Sequence, residues 1–65
     1  MPTSINIKNT NQRNQIKVSI ENYNKDEKTK KFEWTPGTVA YLKPGEQTDV
    51  WAAENRKVII QELPT

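Results

Sequence analysis

Catalysis needs nucleophiles, bases or metal ligands, and the most versatile of these are missing, for the 65 residues include no histidine and no cysteine. Without them neither the common pairs of activated nucleophile and base nor the ligand sets of zinc and most transition metals can be assembled. The hydroxyls that remain are Ser4, Ser19, several threonines and two tyrosines. A mechanism based on paired carboxylates requires two acids converging in a cleft. Glu46 and Asp49 stand close in sequence, but a turn glutamate beside a strand aspartate reads as a solvated loop edge. Asn22, Asn24, Asp26 and Glu27 approximate a run of calcium ligands, yet Lys25, Lys28, Lys30 and Lys31 oppose the ion and no glycine supplies the sharp turn. The expectation is a protein that is not an enzyme and uses no cofactor and no metal.

Recognition is the chemistry left over. Tyr23, Lys25, Lys28, Lys30, Lys31, Phe32 and Trp34 interleave aromatic and basic residues, as a platform for stacked bases does, at ~1–3 kcal/mol per base. Tyr23, Lys28, Lys30 and Lys31 are therefore the candidate contacts to single-stranded nucleic acid. Against this stands a net charge of only +2 with both signs interspersed, whereas phosphate binding calls for a strongly basic face. With five aromatics in the chain, Phe32 and Trp34 are expected in the core, with Lys31 pointing out. Trp51 shares a strand face with Asp49 while Thr48, Val50 and Ala52 form the other, so either Trp51 or Val50 must face outward. An exposed mid-strand tryptophan is a natural anchor for a protein partner. Trp51, Tyr41, Asp49 and Arg56 are the candidate protein-binding residues.

The elements that must position these residues are strands. Ile5 and Ile7 alternate with Asn6 and Lys8, and Ile16, Val18 and Ile20 alternate strictly with Lys17, Ser19 and Glu21. Between them, Asn9 to Asn14 has no apolar residue and is rich in side chains that bond their own backbone, so it reads as a wide turn. A long hairpin is predicted from Asn22 to Trp34, with an exposed, mobile tip at Lys25-Asp26-Glu27-Lys28. Trp34-Thr35-Pro36-Gly37 and Leu42-Lys43-Pro44-Gly45 both read as chain reversals, since proline presets φ and glycine accepts the positive φ of a type II turn. The strand between them, Val39 to Leu42, is apolar on both sides. Thr48 to Ala52 forms a further strand, Ala53-Glu54-Asn55-Arg56 closes a last hairpin, and Lys57 to Leu63 is the final strand. Six strands predict an all-β fold, a single domain over residues 1–65. Its form is a small six-stranded antiparallel β-sandwich of immunoglobulin-like type, with a small β-barrel as the alternative.

A domain of this size buries only about 60% of its unfolded surface. With 32% apolar residues and no disulfide, packing quality or self-association must supply the missing stability. Met1-Pro2-Thr3-Ser4 lacks a secretory pattern and no apolar run could span a bilayer, so a soluble, cytoplasmic protein without membrane contact is expected. Leu42-Lys43-Pro44-Gly45-Glu46, the alternating strand after it and the closing Val58-Ile59-Ile60-Gln61-Glu62 resemble small β-sandwich accessory proteins of bacteriophages and prophages. That resemblance implies a non-catalytic product that binds a host or defence protein or belongs to the virion, and it carries over no functional residue. The expected function is a phage-encoded interaction module that binds and inhibits a host or defence protein. It would use either a sheet face around Trp51 and Tyr41 or a proline-free edge, Ile5 to Lys8 or the final strand. The alternatives are an oligomeric structural or virion accessory subunit and a single-stranded nucleic-acid-binding β-domain.

Overall fold

Five strands and no helix make up the computed structural model, which describes residues 1–64. They are β1 (Thr3–Lys8), β2 (Ile16–Lys25), β3 (Phe32–Leu42), β4 (Gln47–Ala52) and β5 (Arg56–Glu62). β1 pairs with β4 in one antiparallel sheet, and a second antiparallel sheet has the order β3-β2-β5.

The strict alternation of β2 explains where the core lies. Ile16 and Val18 stand directly opposite Leu42 and Ala40 on β3, while Val18 and Ile20 stand opposite Ile60 and Val58 on β5. These residues share one face of the three-stranded sheet. Ile7 of β1 and Val50 of β4 come down on that face from the other sheet, giving a cluster of Ile7, Val18 and Leu42 with Ile16, Val50 and Val58 around it. Val18, 1% exposed, is its centre. The core is small. Ile7, Val18, Ile20 and Leu42 are its only buried apolar side chains among the described residues, and of these Val18 alone is fully enclosed.

Five strands replace the six expected, because Phe32 to Leu42 runs unbroken through Pro36 and Gly37. The expected reversal at Trp34-Thr35-Pro36-Gly37 is instead a β-bulge. Ser19 faces Val39 and Glu21 faces Pro36, which leaves Gly37 and Thr38 together opposite Ile20. Proline is tolerated there because β3 is an edge strand and the ladder is already interrupted. Gly37 is required for space: a Cβ would meet Asn22 Nδ2 at 3.0 Å and the Ile20 carbonyl oxygen at 3.1 Å. The second Pro-Gly pair does turn the chain. Gly45 has φ +87° and the Glu46 N–H donates to the Lys43 carbonyl at 3.0 Å, as a type II turn requires.

The wide turn from Asn9 to Asn14 is organised by its own amides. Asn9, 2% exposed, donates through Nδ2 to the carbonyls of Asn14 and Leu42, both at 2.9 Å, and its Oδ1 accepts from the Asn11 N–H. Its backbone exchanges bonds with Glu46 and Gly45, so one side chain and one peptide unit tie β1, the wide turn and the β3–β4 turn together. At the other end, the β2–β3 tip is folded around Asp26, whose carboxylate accepts from the Lys28 N–H while Lys30 adopts φ +62°.

The β2–β3 hairpin sets the shape. Pairing with β5 stops at Asn22–Arg56, and beyond it β2 and β3 continue as a two-stranded ribbon. The molecule measures 45 × 27 × 11 Å, a thickness that fits two sheets stacked ~10 Å apart. Its radius of gyration is 14.0 Å, against roughly 11 Å for a compact domain of this length.

Candidate functional site

Residues directly opposite one another on paired strands share a side of the sheet. Tyr41 therefore lies beside Lys17, Val39 beside Ser19 and Ile59, Trp34 beside Tyr23, and Phe32 beside Lys25. All point away from Val18 and the core. Strict alternation along β3 would set Phe32 and Trp34 against Val39 and Tyr41, but the extra residue at the bulge brings both halves onto one side. The result is an apolar strip of Phe32, Tyr23, Trp34, Val39, Ile59 and Tyr41, each roughly 40–60% exposed, running ~30 Å along the sheet.

This corrects the expected placement of Phe32 and Trp34 in the core. The inner face of β2 is filled by the aliphatic residues of β1, β3, β4 and β5, and the ribbon that carries the two aromatics extends past them. The strip is ordered by its own contacts. The Tyr23 ring stacks on Phe32 at 5.5 Å between centroids and tilts against Trp34 at 5.1 Å. Lys57 Nζ lies 4.4 Å from the Trp34 ring centroid and 3.1 Å from Glu21 Oε1, so the central charges of the face already neutralise one another.

Trp51 is exposed, as one of the two sequence readings held, and Val50 faces inward. The Arg56 guanidinium lies 3.9 Å from the centroid of the Trp51 ring and donates to its carbonyl oxygen. Asp49, on the same side of β4, accepts from Asn6 Nδ2 at 2.8 Å. Trp51, Asp49 and Arg56 thus gather, but Tyr41 does not join them. Trp51 and Asp49 face outward from the two-stranded sheet and Tyr41 faces outward from the three-stranded one, with the core between. The expected single face around Trp51 and Tyr41 is two faces on opposite sides of the molecule. A cleft of ≈ 320 Å³ beside Trp51 is lined by Val18, Ile20, Ala40 and Val50 together with the polar Thr38, Thr48, Asp49 and Arg56.

Of the candidate nucleic-acid contacts, Tyr23 belongs to the aromatic strip, and Lys28, Lys30 and Lys31 occupy the tip just beyond Phe32. Three of the residues considered for catalysis or calcium have separate structural tasks. Glu46 accepts from the Lys43 N–H at 2.6 Å, Asp26 holds the tip, and Asn24 donates to Thr35 Oγ1 at 3.0 Å. Among the described residues no three acids gather as a metal site would require, and no helix is long and apolar enough to cross a membrane. Sequence reasoning passed over Val39 and Ile59, and the signal for the whole strip was Pro36, since proline inside an alternating run marks an edge strand or a bulge. No family model, curated protein or solved structure matches the chain.

Proposed function

We propose that the protein is a non-catalytic interaction module, a minimal two-layer β-sandwich whose working surface is the outer face of the β3-β2-β5 sheet. In its most specific form the chain is phage-encoded and the partner is a host or defence protein, inhibited because the bound module covers its working surface. The observation that carries the reading is the strip from Phe32 to Tyr41. Four half-exposed aromatics, at about 150–250 Å² each when whole, together with Val39 and Ile59 leave roughly 500 Å² of apolar surface on one side. That patch lies within the ~300–600 Å² of the largest apolar patch on a typical monomer, and patches of this size are often functional. Covering it is worth about 12 kcal/mol gross, comparable with the ~4–15 kcal/mol lost to association, so a partner that also fills the polar rim binds stably.

The test is affinity capture from extracts of the source organism with the wild-type chain, Tyr41→Ser, Phe32→Ser and Trp51→Ser, each checked for fold by circular dichroism. The two variants on the strip are expected to lose the captured protein and Trp51→Ser to keep it. Equal capture by all four removes this face from the account. An oligonucleotide titration in parallel separates the nucleic-acid reading, because phosphate contacts weaken steeply with salt. Salt-dependent oligonucleotide binding that Tyr23→Ser abolishes, with no protein captured, would transfer the surface to nucleic acid.

A further inference from the structure

We infer that the occupant of this face is a second copy of the same chain, packed sheet to sheet about a two-fold axis. The inference rests on reading the strip as a binding surface and names a second copy, in place of a host or defence protein, as what covers it. The first argument is area. The chain exposes 5155 Å², whereas a compact monomer of its 7.5 kDa mass exposes about 4,250 Å², an excess of about 900 Å². A stable interface of standard size takes ~800 Å² from each partner. Much of the exposed aromatic surface has a location, because four of the five half-exposed aromatics, Tyr23, Phe32, Trp34 and Tyr41, lie together on this sheet face, with Trp51 alone on the other side.

The second argument is stability. Four buried apolar side chains among the described residues make a thin core, with no disulfide to support it. Such a chain folds best with its partner already present, and the partner that accompanies every synthesis is another copy. The third argument is charge. A face that meets itself cannot place a lone charge at its centre, since the symmetry mate would oppose it with the same sign. Here the middle of the face carries Glu21 and Lys57 bound to each other, with Trp34, Val39 and Ile59 around them. Lys17 and Lys25 lie toward the two ends.

Sedimentation of the full chain over roughly a hundredfold range of concentration is the test. The expected result is a species of twice the 7.5 kDa chain mass at the upper end, with self-association weakened at least ~100-fold by Tyr41→Glu and unchanged by Trp51→Ser. A measurement that needs no destabilising change supports it. In Trp51→Phe the sole tryptophan is Trp34, and its emission should shift to the blue and resist quenching as concentration rises. A single monomeric species with constant Trp34 quenching overturns the inference. So does a dimer that survives Tyr41→Glu but is broken by Ile5→Lys, which would place the contact on the β1 edge. If the monomer nonetheless captures a protein through Tyr41, the second-copy inference falls and the interaction-module reading stands. Where Tyr41 matters to neither, both fall.

Discussion

Two buried side chains carry more than their share of this small structure. Val18 is enclosed from both sheets, and Val18→Ala should destabilise by ~2–3 kcal/mol through lost burial and the cavity left behind, a large part of the total for 65 residues. Asn9 is the polar counterpart. Asn9→Ala strips the Leu42 and Asn14 carbonyls of their donor and should cost about 2–4 kcal/mol, since each buried group left unpaired costs ~1–3 kcal/mol. Asn9→Asp should be no better, because a carboxylate oxygen would then face those carbonyls. Urea unfolding checks all three. On the surface, Glu21→Gln should change stability by less than ~1 kcal/mol, and the difference should shrink further in high salt, because the partner Lys57 is partly solvated.

The two Pro-Gly pairs show how much of the strands could be read in advance. Patterning located β1, β2, β4 and β5, split β3 into two strands at Pro36-Gly37 and marked the Asn-rich turn, because burial on one face and self-bonding side chains are local properties. What alternation could not supply was the meaning of Pro36-Gly37. The same dipeptide reads as a turn or as a bulge depending on which strand lies alongside, and pairing with β2 is a long-range fact. The two glycines are accordingly needed for different reasons, and substitution separates them. Gly45→Asn should be tolerated better than Gly45→Ala, which strains a positive φ by ~1–2 kcal/mol with open space around it. Gly37→Ala, with its φ outside that region, should lose ~1–3 kcal/mol through the clash with the Ile20 carbonyl. Denaturation midpoints of the three variants distinguish strain from crowding. The site was hidden for the same reason as the bulge. Phe32 and Trp34 look like core residues until the extra residue opposite Ile20 is counted, and Trp51, read correctly as an outward candidate, was joined to Tyr41 only because nothing local told the two sheets apart.

The whole molecule is a thin slab with a ribbon at one end, and its stability follows from that outline. A slab one core layer deep keeps much of its apolar surface in water, so the melting temperature should rise with protein concentration wherever a second chain covers the strip. Scanning calorimetry at two concentrations reads this directly, and Tyr41→Glu should abolish the dependence. Trp51 with Arg56 and the strip with Tyr41 lie back to back across the core. Covering the strip therefore leaves the Trp51–Arg56 side in water, so Trp51→Ser and Tyr41→Ser act on separate surfaces and their effects on stability should simply add.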